Sequence, residues 1–435
     1  MQPENTLLRV FPDSDKLPTI SFGEDNRLIT DSGRIIQDFT GGATSHMILG
    51  WNHPEINQAI IEQLYKFSHL DFKAWNDPNC KILADILVRD AKHSLDRVYF
   101  CGNSGGEACE AAIKMSYQWH QVRGAVDKHW VISRDQSYHG SSSDAMSLGD
   151  RPNLEIYRPI LPTKRSRIPE HNYTRHRERN ETHSDYADRC AQDLEAKILE
   201  LGPDHVAAFV AETMSGGLVG DVPPVHGYWK KIREICDRYN IHLILDEVYC
   251  GNGVSGKAFC CDWDNVTPDF IFMGKTLAAG YAPVSAVMTS TEFEEDVVQG
   301  TGRLQHSTTY QAYSLGIAAA IKVQEIVGAL NAKEVITDKG NLIQSFLEER
   351  LGDHPFFVEV RGRGLRQSFE YQCPQLADFS NELAHRMLEK HNMYISAKWH
   401  RTSFTPSLLV SFAELEDMLE RYVTEFLDLA GRWPK

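Results

Sequence analysis

The pattern of apolar and polar residues from about residue 54 to about residue 275 alternates between the spacing of helices and that of strands. Apolar positions three and four residues apart predict helices near Pro54–Phe67, Cys80–Lys92 and Ala108–Val122. Short, continuous apolar runs predict buried strands at Arg97–Phe100, Trp130–Ser133, Val206–Ala211, Ile241–Leu245 and Phe270–Met273. Such alternation is typical of a mostly parallel sheet with helices on both faces, so the predicted fold class is α/β.

Both ends of the chain show a different pattern. Residues 20–40 combine short β-like pieces with Asp-Asn and Asp-Ser-Gly turns, which predicts a small meander or hairpin. Near the C-terminus, a β-rich piece at Phe356–Val360 lies among three predicted amphipathic helices, Glu334–Leu351, Leu376–His391 and Glu414–Leu429. We therefore expect a large α/β domain over residues 50–320 and a smaller α+β domain built from residues 1–49 and 321–435.

One polar stretch interrupts the alternation. Lys164–Arg189 contains three irregularly spaced histidines, His171, His176 and His183. Structural metal sites usually place their ligands at characteristic short spacings, so a solvated loop is the preferred interpretation. A role as a lid over a site is the alternative.

Composition restricts the class of protein. The chain of 435 residues exceeds a single hydrophobic core, and its 42% hydrophobic content is that of an ordinary globular protein. A net charge of −15 argues against nucleic acid or an anionic membrane as a partner. The sequence shows no signal peptide and no apolar run near the roughly 18 residues of a membrane helix. Nine cysteines without C-x-x-C spacing indicate reduced thiols, so we expect a cytoplasmic protein without a metal site.

Two polar residues come at the ends of predicted strands. Asp246 closes the run Ile241–Leu245, and Lys275 follows Phe270–Met273 closely. The carboxyl ends of parallel strands form the ligand crevice of an open α/β sheet, so both side chains should face it. A lysine that forms a Schiff base and an acid on the ring nitrogen are the usual protein partners of pyridoxal phosphate (PLP). Two ordinary strand-end residues are the alternative, and other segments favour the cofactor.

A phosphate site is predicted at the start of the helix Ala108–Val122. The sequence Asn-Ser-Gly-Gly-Glu follows a strand here, and Ser104 with Glu107 fits a capping box. Gly105 and Gly106 leave bare N–H groups at the positive end of the helix dipole, where a phosphate can bind. A simple tight turn is the alternative interpretation.

Further residues are predicted at the same sheet edge. Tyr138, in a Tyr-His-Gly sequence, follows a strand and can stack on a planar ring, although a partly buried loop tyrosine is the alternative. Glu212 ends a third strand, and Val248 lies on the same side of the chain as Asp246. Hydroxyl residues at 307–309 precede an alanine-rich helix and either cap it or donate to a phosphate.

These segments together resemble the class III, or ω-, aminotransferases of the fold type I PLP enzymes. The resemblance runs from about Phe22 to the C-terminus and is strongest over Val206–Ser290. There, Leu-Ile-Leu-Asp-Glu-Val-Tyr-Cys-Gly and Gly-Lys-Thr-Leu-Ala-Ala-Gly-Tyr-Ala-Pro stand at the family's spacing. Ser-Gly-Gly-Glu-Ala-Cys-Glu at 104–110 and Tyr-His-Gly at 138–140 also match. The resemblance implies a mostly parallel central sheet in a large domain, with a smaller α+β domain.

The resemblance also implies roles for individual residues. Lys275 forms the Schiff base and moves the substrate proton, and Asp246 keeps the ring nitrogen protonated. Tyr138 stacks on one ring face and Val248 packs on the other. Thr309 is similar to a threonine that reaches the phosphate from the partner subunit, which implies a homodimer. The residues implied to bind the cofactor are Ser104, Gly105, Gly106, Tyr138, His139, Glu212, Asp246, Val248, Lys275 and Thr309.

The sequence departs from the family pattern at several positions. Residues 212–213 read Glu-Thr where the family usually has Glu-Pro. Residues 251–256 read Gly-Asn-Gly-Val-Ser-Gly where the family usually has Gly-Phe-Gly-Arg-Thr-Gly. Many members bind a substrate carboxylate with a C-terminal arginine, and the matching position here is Ser396. Lys398 and Arg401 are candidate substitutes for it.

The expected activity is transfer of an amino group from an amine or amino acid to a 2-oxo acid or aldehyde. It should follow ping-pong kinetics through Lys275. An aminomutase, racemase or decarboxylase would use the same residues, and a non-catalytic binding protein of the same fold is a third interpretation. The intact pair of Asp246 and Lys275 argues against a binding protein, which needs neither.

Overall fold

The computed structural model describes Leu8, residues 17–331 and residues 333–434. Part of the predicted N-terminal segment of the small domain, residues 1–7 and 9–16, lies outside the described residues. Within the described chain, fifteen strands form: β1 Ile20–Glu24, β2 Arg27–Thr30, β3 Ile35–Asp38, β4 Arg97–Cys101, β5 Trp130–Arg134, β6 Arg165–Ile168, β7 Val206–Glu212, β8 His242–Asp246, β9 Phe270–Met273, β10 Ser285–Thr289, β11 Phe357–Arg363, β12 Arg366–Tyr371, β13 Met393–Tyr394, β14 Ser396–Lys398 and β15 Arg401–Phe404.

Helices connect and cover these strands. Those in the described residues are α1 Pro54–Lys66, α2 Pro78–Asp90, α3 Gly105–Val122, α4 Ser143–Leu148, α5 Tyr173–His176, α6 His183–Leu201, α7 Tyr228–Arg238, α8 Thr291–Thr301, α9 Ser314–Asn331, α10 Val335–Leu351, α11 Leu376–His391 and α12 Phe412–Arg432. Short 3-10 helices lie at Pro152–Ile160, Pro203–His205, Cys260–Trp263 and Lys275–Leu277. No single described helix is long and apolar enough to cross a membrane. The pair α9 and α10, bent by 64° at their junction, has the length and composition of a membrane span only when the two helices are taken together.

A seven-stranded sheet forms the centre of the fold, in the order β4-β10-β9-β8-β7-β5-β6. Five neighbouring strands run parallel, namely β6, β5, β7, β8 and β9. Strand β10 is antiparallel to both β9 and β4. Every residue of β7, β8 and β9 is buried, because helices cover both faces of the sheet. The predicted α/β class is confirmed, and the parallel strands place their carboxyl ends at one edge.

Two smaller sheets are built from the ends of the chain. The order β1-β2-β3-β13 joins the N-terminal meander to a C-terminal strand, with Met393 opposite Gln37 in a parallel pair. The order β11-β12-β15-β14 forms the second sheet from C-terminal residues alone. The predicted domain boundary between residues 320 and 321 falls inside α9, so this helix would connect the two parts.

The interpretation of Lys164–Arg189 as a solvated loop holds for the exposed residues 177–180 and is wrong for residues 165–176. Residues 165–168 form β6, which pairs in parallel with β5 at the end of the central sheet, and α5 and the start of α6 follow. The polar sequence Arg-Ser-Arg-Ile hides this strand because an edge strand carries charged side chains without penalty. His171 is also fully buried rather than solvated, and its ring stacks on Tyr228.

Candidate active site

A cavity of about 820 Å³ lies at the carboxyl edge of the parallel strands. Its walls come from the residues that follow β4, β5, β7, β8 and β9. Nine of the ten predicted cofactor-binding residues line it: Ser104, Gly105, Gly106, Tyr138, His139, Glu212, Asp246, Val248 and Lys275. The tenth, Thr309, does not. The strand-end rule therefore brings together segments that are far apart in sequence.

Asp246 is held in one orientation by two hydrogen bonds. His139 Nδ1 lies 2.8 Å from Asp246 Oδ2, and the backbone N–H of Val248 donates to Oδ1 at 2.9 Å. The histidine and the aspartate are 3% and 4% exposed, so the pair is almost fully removed from water. A carboxylate in this position can bind a cationic ring nitrogen with its remaining lone pairs.

Lys275 has a strained backbone and a desolvated amine. Its φ angle of +42° lies in the left-handed region, which non-glycine residues seldom adopt and which often occurs at functional sites. Burial lowers the pKa of its ammonium below the usual value, and the nearby cation of Arg366 lowers it further. The carboxylates of Asp246 and Glu212 act in the opposite direction. The result is an amine with a larger neutral, nucleophilic fraction near neutral pH.

The start of α3 is open, but the predicted capping box does not form. Ser104 is the N-cap residue, yet its hydroxyl makes no capping hydrogen bond. Glu107 instead accepts from the backbone N–H of Gly102 at 3.2 Å and from the Thr308 hydroxyl at 2.9 Å. The Ser104 hydroxyl and the first N–H groups of α3 therefore remain available to an anion.

Glycines let three segments meet at this helix start. A Cβ atom on Gly105 would lie 2.5 Å from Val248 Cγ2, so only glycine permits this contact. Gly140 has a φ angle of +150°, and a Cβ there would lie 2.6 Å from the Cα of Gly106. Val248 and the Tyr-His-Gly loop are thus packed directly against the predicted phosphate site.

Tyr138 and Val248 both face the cavity, as the ring-stacking prediction requires. The Tyr138 hydroxyl lies 3.3 Å from Ser141 Oγ. One face of its ring is covered by the guanidinium of Arg151, whose Cζ lies 3.8 Å from the ring centroid. The sequence did not single out Arg151, which comes from a loop after α4.

Glu212 is 4% exposed and lines the same cavity. Its Oε1 accepts a hydrogen bond from the backbone N–H of Gly216 at 3.2 Å. Burial raises the pKa of this carboxyl, while the ring of His139 opposes the shift. The carboxyl therefore holds the following loop through Gly216 and lies in the same cavity as Lys275.

Thr309 is exposed and lies outside the cavity of its own chain. Its carbonyl is 2.8 Å from His69 Nε2, whereas the neighbouring Thr308 bonds Glu107. The segment therefore reaches the rim of the predicted phosphate site without entering it.

Several residues that line the cavity were not predicted from the sequence, among them His46, Tyr249 and Tyr281. His46 follows a short turn that contains several positive φ angles, and burial lowers its pKa. Tyr249 lies between two cations, with Lys275 Nζ at 5.3 Å and Arg366 Cζ at 4.3 Å from its ring centroid. Tyr249 and Tyr281 lie within the two motifs that match the family, although neither was given a role, whereas His46 lies in no recognised motif.

One group of potential metal ligands lies away from the cavity. The ligand atoms of His93, Cys261 and Asp262 all lie within 4.8 Å of one another. Both oxygens of Asp262 already accept backbone hydrogen bonds, from Phe259 and Lys92. Burial also raises the pKa of the Cys261 thiol well above its usual value, which disfavours the thiolate that a metal needs.

Comparison with known proteins identifies the family. The family described as Aminotransferase class-III matches residues 13–425. This chain belongs to that family. The diaminobutyrate–2-oxoglutarate transaminase of Halomonas elongata is 31% identical over 384 residues, which cover 86% of this aminotransferase and 80% of the relative. Gamma aminobutyrate transaminase 2 of Solanum lycopersicum is 29% identical, covering 88% and 86%.

Solved structures support the same assignment. An omega transaminase from Pseudomonas jessenii, solved in complex with PMP, matches this aminotransferase with a TM-score of 0.91. The two are 26% identical, and the match covers 98% of this chain and 97% of the other. The predicted family and fold are therefore confirmed.

The two candidate substitutes for the carboxylate-binding arginine have different surroundings in this aminotransferase. Arg401 is 4% exposed and donates to the backbone carbonyls of Leu218 and Gly217, at 3.0 and 2.8 Å. It therefore holds the loop whose Gly217 lines the cavity, while its Nε has no hydrogen-bond partner among the described residues. Lys398 is exposed on β14 and makes no side-chain hydrogen bond or ion pair to the described residues.

Proposed function

We propose that this aminotransferase moves an amino group from an amine or amino acid donor to a 2-oxo acid or aldehyde acceptor in two half-reactions. The observation that carries the proposal is the placement of Lys275 and Asp246. Asp246 ends β8, Lys275 comes two residues after the adjacent strand β9, and both side chains line one cavity. Membership of the class III family, whose named relatives are transaminases, supports the same reaction.

The cofactor of this family is PLP, and the cavity has the groups to hold it. When bound, PLP supplies an electrophilic carbon for the amine and an electron-withdrawing ring. The uncapped Ser104 hydroxyl and the first N–H groups of α3 would bind the phosphate. Tyr138 and Val248 would contact the two ring faces. Asp246, oriented by its 2.8 Å contact with His139, would bond the ring nitrogen.

Lys275 is the residue proposed to handle the proton in each half-reaction. Burial lowers the pKa of its amine, so the side chain can accept a proton from the substrate carbon and return it. Asp246, whose orientation His139 fixes, would keep the ring nitrogen protonated when the cofactor is bound. Glu212 holds the Gly216 backbone at the cavity wall, and burial raises the pKa of its carboxyl.

The wider assignments are also proposals. We propose a homodimer in which Thr309 reaches the phosphate of the partner's site, supported by its exposure beside the rim of the phosphate site. A division into residues 50–320 and residues 1–49 with 321–435 follows the separation between the central sheet and the two smaller sheets. A cytoplasmic location is supported by nine cysteines, all free and all buried.

The proposed role of Lys275 is tested by covalent labelling. Borohydride reduction of the PLP-loaded protein, followed by peptide mapping, should place the pyridoxyl group on Lys275. Lys275→Ala should bind PLP without the label and lose turnover, because the phosphate and ring contacts come from other segments. The control Lys81→Ala, which removes an exposed ion pair with Asp85, should retain label and activity. A label on another lysine in the wild-type protein would disprove the assignment.

The products that the PLP-loaded wild-type protein forms from an amino donor distinguish amino transfer from other PLP-dependent reactions. Amino donor added without acceptor should yield pyridoxamine phosphate and an oxo product in equal amounts, one per active site. A racemase, an aminomutase or a decarboxylase would instead convert many equivalents of donor and leave the cofactor in its starting form. A protein that stays colourless with added PLP would indicate a binding relative.

A further inference from the structure

The backbone around Lys275 is held by side chains from other segments. Lys275 has a φ angle of +42°, a conformation that persists only where the surrounding structure enforces it. Gln324 of α9 donates to the backbone carbonyls of Thr276 and Leu277, at 3.4 and 3.0 Å, and so fixes the 3-10 helix that begins at the lysine. These bonds lie on the C-terminal side of Lys275, so the peptide before it needs support from elsewhere.

Asn252 supplies that support from the loop after β8. Its Nδ2 lies 3.3 Å from the Gly274 carbonyl oxygen and 3.3 Å from Thr276 Oγ1, so one amide group donates to the residues on both sides of Lys275. The Thr276 hydroxyl in turn donates to the Gly251 carbonyl at 3.2 Å. The donors therefore form a closed ring of contacts between the loop and the segment that carries the lysine.

The amide of Asn252 is not explained by packing. The side chain is 1% exposed, and its Oδ1 has no hydrogen-bond partner among the described residues. A buried acceptor without a partner lowers folding stability, and the phenylalanine that the family usually has at this position would avoid that cost. The φ angle of +55° at Asn252 is one that asparagine adopts more readily than most residues. The two Nδ2 hydrogen bonds are therefore the contribution that this side chain makes.

The peptide before Lys275 also approaches the predicted phosphate site. A Cβ atom on Gly274 would lie 3.2 Å from the backbone nitrogen of Gly105, so the two segments are packed closely. A shift of Gly274 would therefore move the lysine relative to the start of α3. Since reacting groups must meet in the correct geometry, a misplacement of about 1 Å can slow a reaction by about 100-fold.

Resting on the proposed role of Lys275, we propose that Asn252 is a positioning residue, which holds the strained backbone of Lys275 so that its amine is directed at the cofactor and the substrate carbon. Asn252 does not line the cavity, so it acts through the lysine and not by contact with a ligand. Its amide is uncharged and is not among the groups that shift the pKa of Lys275. The role therefore concerns the position of the amine and not its protonation.

The first test removes the amide of Asn252 alone. Asn252→Gly keeps the φ angle of +55°, which glycine adopts freely. The measured quantity is the rate at which the apo protein captures saturating PLP, as the Lys275 amine condenses with the aldehyde and releases water. This rate should fall by about 10- to 100-fold, whereas the midpoint of its pH dependence should not move. The control Asn265→Gly, at an exposed position with a φ angle of +49°, should match the wild type.

A second substitution tests the contact from its other side and keeps the side-chain shape. Thr276→Val removes the buried hydroxyl that accepts from Asn252 and should also slow PLP capture, and Thr276→Ser should recover most of the rate. The double variant Asn252→Gly/Thr276→Val should lose less than the product of the two single losses, because both substitutions remove the same contact. Should Asn252→Gly fail to fold, capture by Thr276→Val at the wild-type rate would contradict the proposal.

A binding measurement in the absence of the lysine separates positioning from general support of the site. In a Lys275→Ala background, Asn252→Gly should leave the affinity for PLP unchanged within about twofold, because the amide acts only through Lys275. A large loss of affinity there, a shifted pH midpoint, or capture by folded Asn252→Gly at the wild-type rate would overturn the role of Asn252. Failure of the wild-type protein to capture PLP on Lys275 would instead overturn the proposed function.

Discussion

At the scale of single residues, two cations lie close to the ring of one tyrosine in the site. Tyr249 has Lys275 Nζ 5.3 Å and Arg366 Cζ 4.3 Å from its ring centroid. Arg366 is fully buried, and after burial it is the largest influence that lowers the pKa of Lys275. A neighbouring positive charge favours the neutral amine, so Arg366 helps to keep Lys275 nucleophilic.

Removing this charge should change the pH at which Lys275 reacts. In Arg366→Met the ammonium loses a repulsive neighbour, so the pKa of Lys275 rises and a higher pH is needed to reach the same neutral fraction. The rate of covalent PLP capture by the apo protein, measured against pH, should therefore shift its midpoint upward by about one unit. Arg366→Lys, which keeps the charge, should leave the midpoint near that of the wild type.

Arg363→Met provides the matched control from the same hairpin. Arg363 pairs with Asp264 at 2.7 Å and is not among the charges that act on Lys275. Circular dichroism establishes that each variant is folded. An unchanged midpoint in a folded Arg366→Met protein would show that burial alone sets the pKa of Lys275.

The sequence predicted the site residues that lie at the carboxyl ends of parallel strands and did not predict those that other elements bring to the site. Asp246, Lys275 and Glu212 follow apolar runs, and parallel strands deliver their carboxyl ends to one edge. Arg366 begins β12 and meets Tyr249 only through packing between separate sheets. Arg151 follows no recognisable motif. Contacts of this kind depend on tertiary structure, which local periodicity does not encode.

At the scale of elements, the predicted pieces agree with the structure where the pattern was periodic. The bounds of β9 and α11 match the predicted ranges, and the other predicted strands and helices differ at their ends by a few residues. Two predictions failed for a chemical reason. The sequence of β6 is polar because β6 is an edge strand. The capping box does not form because Glu107 accepts hydrogen bonds from the Gly102 N–H and the Thr308 hydroxyl instead.

The close approach at Gly140 gives a prediction for the start of α3. A Cβ there would lie 2.6 Å from the Cα of Gly106, and the φ angle of +150° also disfavours an L side chain. Gly140→Ala should therefore push the loop away from the helix, cost about 1–3 kcal/mol of folding stability and weaken PLP retention. Thermal unfolding and the rate of PLP loss measure the two effects.

Gly124→Ala separates the two causes. Gly124 has a φ angle of +78° but nothing within 4 Å of an added Cβ, so it reports the backbone cost alone. Its thermal midpoint should fall less than that of Gly140→Ala, and its PLP retention should not change. Equal losses of PLP in the two variants would show that contact with Gly106 does not shape the phosphate site.

At the scale of the whole molecule, several large aromatic side chains are exposed to solvent. Tyr65, Trp75 and Tyr310 are 88%, 66% and 59% exposed. The His69 ring lies 5.4 Å from that of Tyr310, and its Nε2 contacts the Thr309 carbonyl. Exposed aromatic side chains, Tyr310 next to Thr309 among them, support the proposed dimer.

Subunit exchange tests whether Thr309 acts on the partner's site. Thr309→Asp would place a negative charge against the phosphate and should abolish PLP-dependent activity. Mixed with Lys275→Ala under exchange, it should form heterodimers with one working site, in which Lys275 and Thr309 come from different subunits. Recovery should approach half the activity of a wild-type dimer. Heterodimers without activity would place Thr309 in its own subunit's site or away from the phosphate.

The pairing of β3 with β13 has a consequence for synthesis on the ribosome. Gln37 and Met393 stand opposite each other, so almost the whole chain must leave the exit tunnel before this sheet can close. Pairing of strands so distant in sequence costs loop-closure entropy, and this cost is offset only when the intervening central sheet has already formed. The nascent chain should therefore form the walls of the PLP cavity first. Until β13 is synthesised and pairs with β3, the edge of the N-terminal meander stays unpaired and accessible to chaperones.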